Sequence, residues 1–212
     1  MSAVLAPGIA VRALGRVDYA DALAAMRAFT AGRDSGAPDE LWCLEHPPVY
    51  TLGLGADPAH GPQAGAGIPV VRIERGGEVT YHGPGQLVIY TLVDLARRGI
   101  KVREYVRLLE QAIIDLLDAH GVEAARRPGA PGVYVGAAKV AALGLRITRG
   151  CALHGLSLNV DMDLAPFAAI DPCGMPGLAV TQTRDLGIAA GVAVLGEELS
   201  RRIAGQLEAC HA

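Results

Sequence analysis

Residues 75–95 read Arg75-Gly76-Gly77-Glu78-Val79-Thr80-Tyr81-His82-Gly83-Pro84-Gly85-Gln86-Leu87-Val88-Ile89-Tyr90-Thr91-Leu92-Val93-Asp94-Leu95. Four glycines and a proline fall within the first eleven of them, and that composition cannot sustain a helix. The stretch is entered from a strand-like run at 70–74. It leaves into the apolar run Leu87-Val88-Ile89-Tyr90. It therefore reads as a loop held between two strands. Glycines in such a place let backbone N–H groups approach a ligand closely. An ordinary Gly/Pro hairpin has the same composition. The specific order Arg-Gly-Gly, Thr-Tyr-His, Gly-Pro-Gly-Gln is what favours a binding wall.

Upstream of this stretch, residues 9–16 read as a strand. Asp18 stands as the N-cap of a helix that runs to about Thr30, with Tyr19, Leu23, Met26 and Phe29 at helical spacing. Residues 41–44 form a short buried strand. It runs into Glu45-His46-Pro47-Pro48, which cannot stay in a central ladder. Residues 49–54 continue extended, and 55–67 are a Gly-, Ala- and Pro-rich loop.

Downstream, 101–120 is the clearest helix. Val102, Tyr105, Val106, Leu109, Ile113, Leu116 and Leu117 make one apolar face, and Gly121 closes it. Residues 126–132 read as a turn-rich connector. Three strands follow at 133–135, 139–147 and 152–160, then an irregular segment at 161–177 with three prolines. The segment from 187 to 210 ends in a helix with Leu195, Leu199, Ile203 and Leu207 at four-residue steps. This order indicates an α+β fold with a largely mixed or antiparallel sheet, not a doubly wound one. No composition break divides the chain, so 1–212 is expected to be a single domain.

With 51% hydrophobic and 19% charged residues, the chain is globular and long enough to bury a sizeable core. A net charge of −3 and 4% aromatic residues offer neither a basic footprint nor stacking platforms for nucleic acid. No apolar run is long enough to span a membrane, and the N-terminal residues make a poor signal peptide. Cys43, Cys151, Cys173 and Cys210 form no CxxC pair. Free thiols in a reducing cytoplasm are expected.

The sequence has no phosphate-binding G-x-x-x-x-G-K-[ST] loop and no G-x-S-x-G elbow, and Gly53-Leu54-Gly55 lacks the third glycine of a dinucleotide fingerprint. His46, His82, His154 and the cysteines lack zinc-type spacing, so no metal is expected. Cys173 sits in Asp171-Pro172-Cys173-Gly174-Met175-Pro176, on a rigid irregular loop. Such a thiol is either a nucleophile or inert, whereas Cys43, Cys151 and Cys210 have apolar or helical surroundings and read as inert. A free thiol, with a pKa of about 8.5, needs a base or cation beside it. Lys139 stands alone in charge among Gly136-Ala137-Ala138 and Val140-Ala141-Ala142. Burial there would lower its pKa toward the range of a general base, although a lysine at a strand start also snorkels readily to water. His82 and His154 are further candidate bases. His82 reads as pocket-lining and His154 as a hydrogen-bonded structural histidine.

Taken together, five segments resemble the octanoyltransferase family, the lipoyl(octanoyl) transferases of lipoate biosynthesis. They are residues 45–51, residues 75–86, Lys139 with Leu143-Gly144-Leu145-Arg146, residues 154–160, and Pro172-Cys173-Gly174, in the family's order. The resemblance implies a biotin/lipoate ligase catalytic-domain-like fold: a large mixed sheet, a smaller sheet and flanking helices. It implies transfer of octanoyl from octanoyl-acyl carrier protein to a lysine of apo lipoyl domains, those of 2-oxoacid dehydrogenase E2 subunits and of the glycine cleavage H protein. The enzyme would work as a monomer without cofactor, metal, nucleic acid or membrane.

By the family pattern Cys173 forms an acyl-thioester and Lys139 activates it. Arg75, Gly76, Gly77, Glu78, Val79, Thr80, Tyr81, His82, Ala142, Leu143, Gly144, Gly155, Leu156 and Ser157 would wall the acyl pocket. Two positions depart from the pattern: Thr91 follows Tyr90 where proline is usual, and Thr148-Arg149-Gly150-Cys151 replaces a segment that often holds Trp or Tyr. Both bear on chain-length preference. Arg97-Arg98, Lys101, Arg103 and Arg107, the pair Arg126-Arg127, and Arg146 with Arg149 are basic clusters, of which one or more is expected to dock an acidic carrier, a solvated basic face being the alternative for each. An ATP-dependent ligase of the same fold and an inactive carrier-binding protein are the competing readings. Cys173 and the 75–86 run stand against the first, and Cys173 with Lys139 against the second.

Overall fold

The computed structural model describes residues 2–6, 8–34, 36–62, 67–171 and 175–210, with the backbone alone described at 2–6 and 58. The elements in chain order are β1 (Ser2–Ala6), β2 (Ile9–Arg16), α1 (Tyr19–Gly32), β3 (Asp39–Glu45), β4 (Val49–Leu52), β5 (Val70–Arg72), β6 (Val79–His82), β7 (Gln86–Leu92), α2 (Leu95–Arg98), α3 (Val102–Ala119), β8 (Ala125–Arg127), β9 (Ala130–Val135), β10 (Ala138–Thr148), β11 (Cys151–Asn159) and α4 (Val192–Ala209).

Eight strands form one sheet in the order β1-β2-β3-β7-β11-β10-β9-β8, and β5-β4-β6 form a second. The large sheet is antiparallel except where β2 and β3 run parallel across the α1 crossover. In the small sheet β4 pairs parallel with β5 and antiparallel with β6. The fold is thus α+β, as the order of elements indicated, with the large mixed sheet, small sheet and flanking helices that the family resemblance implied.

Alternation along β7 decides which side of the large sheet receives which layer. Leu87 and Ile89 join Leu41 and Leu158 in a core against α3 and α4, where Tyr105, Leu109, Ile113 and Leu199 are fully buried. Val88, Tyr90 and Leu92 face the other way and pack with Trp42, Leu44, Ala22 and Met26, the last two on α1. The small sheet brings its own core, in which Tyr50, Leu52, Val79 and Tyr81 pack on Met162, Phe167 and Ile170.

Several elements differ from the sequence reading, among them strand β1, which it did not place. Residues 79–82 are strand β6 and not part of a continuous loop. Val79 and Tyr81 alternate into the small core, and β4 supplies a full ladder from Val49↔His82 to Leu52↔Val79. Residues 125–127 pair with β9 as edge strand β8. Leu95–Arg98 forms one helical turn, capped by the Asp94 carboxylate accepting from Arg97 N at 2.9 Å and closed by left-handed Gly99.

That turn is pinned by a buried charge. Asp39, fully buried, accepts from Arg33 Nη2 (2.7 Å), Arg97 Nη2 (2.7 Å) and Arg98 Nε (2.6 Å). Arg98 is therefore spent inside the protein, and its side chain is only 7% exposed. Arg126 is likewise engaged, by buried Glu110 at 3.0 Å. Among the described residues, no helix is long and apolar enough to cross a membrane.

Candidate active site

A mainly apolar cleft lies between the two sheets. Its floor comes from Val88 and Tyr90 of β7, from β10 (Lys139, Ala141, Ala142, Leu143, Gly144) and from β11 (His154, Gly155, Leu156, Ser157, Asn159). Arg75, Gly77, Glu78, Val79, Thr80 and His82 form the facing wall, and Tyr19, Phe167 and Val180 complete it. The backbones approach closely here: a Cβ at Gly155 would stand 2.1 Å from Ile89 O on β7. Only glycine lets the two strands pair at that point.

Arg75 organises the wall. Its guanidinium donates to Gly76 O (2.9 Å), Thr51 O (2.9 Å) and Thr51 Oγ1 (3.0 Å), and the residue is buried. From Thr51 a chain of polar groups crosses the cleft. Gln86 Nε2 donates to Tyr81 O (3.2 Å) and Asn159 Oδ1 (2.9 Å), which turns Gln86 Oε1 toward His82 Nδ1 at 2.7 Å. His82 Nδ1 therefore carries the proton. Its Nε2 is left to accept from the Thr51 hydroxyl at 3.4 Å. Asn159 Nδ2 donates onward to Thr181 O at 3.0 Å. Thr181 N in turn donates to Lys139 O (2.9 Å), and Lys139 N donates to Ala179 O (2.8 Å).

Lys139 is 4% exposed, as its uncharged neighbours implied. Its Nζ lies 5.3 Å from the ring centroid of Tyr134, a cation–π distance. Gly132 makes room for it, since a Cβ there would meet Lys139 Cε at 2.5 Å.

The histidines are neutral for distinct reasons. Burial pushes His82 down to about 3, and neighbouring His46 adds to the effect. Burial and the Arg75 charge bring His154 to about 4. His46 is also lowered by burial. Its Nδ1 donates to Val17 O (2.7 Å) and its Nε2 accepts from Tyr90 Oη (2.6 Å). His82 and His154 are thus poor bases at neutral pH. His154 also departs from the structural role expected of it. Its ring lines the cleft, and among the described residues nothing hydrogen-bonds to it.

Cys173, with Pro172 and Gly174, lies outside the described residues. The chain on either side is tied down: Asp171 N donates to His60 O (3.1 Å), and Ala179 and Thr181 flank Lys139 as above. Cys43 and Cys151 are not poised for attack. Burial raises the pKa of Cys43, whose Sγ lies 3.0 Å from Ser200 Oγ, and that of Cys151. Among the described residues, no three His, Cys, Asp or Glu side chains group as metal ligands.

Of the expected wall residues, Gly76 and Tyr81 alone do not line the cleft. Gly76 N is bonded to Leu145 O at 2.9 Å, and Tyr81 alternates into the small core against Tyr50 and Phe167. Tyr19, Val88, Tyr90, Ala141, Asn159, Phe167 and Val180 line it without having been singled out from the sequence. Asn159 left a signal, a lone amide in an apolar strand. Val88 and Tyr90 left none, because residues 87–90 are apolar on both faces.

Residues 18–204 match the lipoyl protein ligase A/B catalytic domain. An octanoyltransferase of Dechloromonas aromatica is 59% identical over 93% of this chain and 96% of its own length. A lipoate-protein ligase A crystal structure bound with ATP shares the fold with a TM-score of 0.76 at 17% identity, over 93% of this chain and 85% of that one. The biotin protein ligase of Aquifex aeolicus does so with a TM-score of 0.57 at 11% identity, over 93% and 68%.

Proposed function

The chain belongs to the octanoyltransferase family, and from that premise we propose that residues 1–212 act as one catalytic unit that carries octanoyl from octanoyl-acyl carrier protein to a lysine of an apo lipoyl domain. In this reading the cleft holds the acyl chain. The Cys173 thiolate attacks the carrier thioester, the carrier thiol leaves with the proton that Cys173 gave up, and an octanoyl-thioester enzyme remains. The amine of the acceptor lysine then attacks that thioester. Cys173 leaves as thiolate and regains the proton that the amine loses. The first step exchanges one thioester for another and is nearly isoenergetic. The second requires a neutral amine and therefore a proton acceptor.

Lys139 is that acceptor. The observation that carries this assignment is its place: buried in the cleft, with its backbone locked on both sides to Ala179 and Thr181, a few residues beyond Cys173. The two cleft histidines, with pKa values of about 3 and about 4, are ill suited to the task. The acceptors would be lipoyl domains of 2-oxoacid dehydrogenase E2 subunits and the glycine cleavage H protein, met in the cytoplasm. The reaction needs no ATP.

Lys139→Ala should lower transfer to a lipoyl domain by about 10²–10⁴-fold, the usual worth of general acid–base help, with an unchanged circular dichroism spectrum. Near-normal turnover in that variant would assign the proton transfer to another group.

A further inference from the structure

We infer that His154 is the stop that sets the length of acyl chain the cleft accepts. The inference rests on the reading above, in which the reacting carbonyl sits at the Lys139 end.

Strand register gives the cleft its length. Lys139 stands at one end of its β10 lining, and Gly144 is the last β10 residue to line it. Gly144 pairs with Gly155, and Leu145 with His154. Five residues of strand separate Lys139 from Gly144, or about 16 Å at about 3.3 Å each. Beyond Gly144 and His154 the two strands go on pairing with each other to Thr148↔Cys151, but the facing wall closes over them: a Cβ at Gly144 would meet Arg75 Cδ at 2.7 Å, and Gly76 N bonds Leu145 O at 2.9 Å. An extended octanoyl chain measures about 9 Å from carbonyl to methyl, given C–C bonds of about 1.5 Å. With the carbonyl a hydrogen-bond length of about 3 Å from Nζ, it ends about 12 Å along the cleft. A dodecanoyl chain, longer by about 5 Å, would have to occupy the place of the His154 ring.

The residue is built as a barrier. Its backbone has φ 64 in the middle of β11, the left-handed region that a non-glycine residue rarely occupies within a paired strand. That conformation departs from the regular side-to-side alternation of a strand, which passes through left-handed backbone only at irregularities. The ring lines the cleft, is 4% exposed, and has no hydrogen-bond partner among the described residues. A methyl end pressed against it would strip the ring nitrogens of their remaining access to solvent without replacing it. Tyr90, whose ring centroid is 6.1 Å away at a steep angle, supports the imidazole from the β7 side.

The test compares wild type with His154→Gly, in which glycine suits the backbone conformation and removes the ring. Each is assayed with octanoyl-, decanoyl- and dodecanoyl-acyl carrier protein and a lipoyl-domain acceptor. The ratio of kcat/KM for dodecanoyl to that for octanoyl should rise at least tenfold in the variant. His154→Asn, which also tolerates the left-handed region but keeps a polar tip, should shift the ratio in the same direction by less. Octanoyl transfer that persists in both variants with an unchanged ratio would overturn the stop and leave the catalytic reading intact. Equal loss for all chain lengths would also overturn it, marking the residue as structural. No octanoyl transfer by wild type would overturn the catalytic reading, and the stop with it.

Discussion

His82 and His154 are held neutral in the same cleft, one inside a hydrogen-bonded chain and one at an open face. Their pKa values, about 3 and about 4 against an ordinary 6.5, make a signed claim about stability. In the unfolded chain both protonate as pH falls through 6.5, while in the folded protein they resist until about 4 and about 3. The unfolded state therefore binds more protons in that window, so folding stability is lost as pH drops. Each histidine contributes at most about 1.4 kcal/mol per pH unit there. Urea unfolding at pH 7 and pH 5 should show a lower midpoint at pH 5, and His82→Gln should lessen the difference. A midpoint independent of pH would contradict the neutral-histidine account. At this scale the sequence was only partly legible. Lys139 announced its burial through the alanines and valine around it. The direction of His154 was hidden, because strand alternation does not foresee a left-handed residue within β11.

Besides the backbone bonds of Lys139 to Ala179 and Thr181, a side-chain amide joins β11 to the return segment at 179–181. Asn159 accepts from Gln86 and donates to Thr181 O, and so couples the wall that holds His82 to the chain that brackets Lys139. Asn159→Leu is nearly isosteric and takes one bond from Gln86 Nε2, which keeps Tyr81 O, and one from the partly buried Thr181 O, at about 1–2 kcal/mol each. The expected result is a fall of about 2–4 kcal/mol in unfolding free energy together with a loss of transfer. Asn159→Asp, which keeps the acceptor and loses the donor, should retain more stability than the leucine variant. Full stability in Asn159→Leu would show that the Gln86 and Thr181 bonds are not structural. Elements with strong periodicity were legible: the apolar face of α3 and the meander of β9, β10 and β11 stand where the sequence placed them. Strand β6 was not, because its Thr80 and His82 read as polar loop until β4 and the Tyr81 core are known. Helix α2 was hidden by its length of one turn.

The whole molecule puts its apolar mass behind the large sheet and its chemistry in front of it. Helices α3 and α4 cover one face, while α1 and the small sheet share the other, and the cleft occupies the gap between the two sheets. The α+β class followed from the order of elements. The division into two sheets did not, since it depends on β4 and β6 leaving the main ladder after Pro47-Pro48. The fold is shared with a lipoate-protein ligase A solved with ATP bound and with a biotin protein ligase, so the fold alone does not single out acyl transfer. The distinction between an ATP-dependent ligase and direct acyl transfer therefore lies in particular side chains, and in the proposed mechanism Cys173 is the one that decides. Intact mass spectrometry after mixing the protein with octanoyl-acyl carrier protein, without ATP or acceptor, measures this directly. The expected result is a single octanoyl adduct on wild type that is absent from Cys173→Ser and is discharged by an apo lipoyl domain. No adduct on wild type, or one that persists unchanged in Cys173→Ser, would contradict the mechanism.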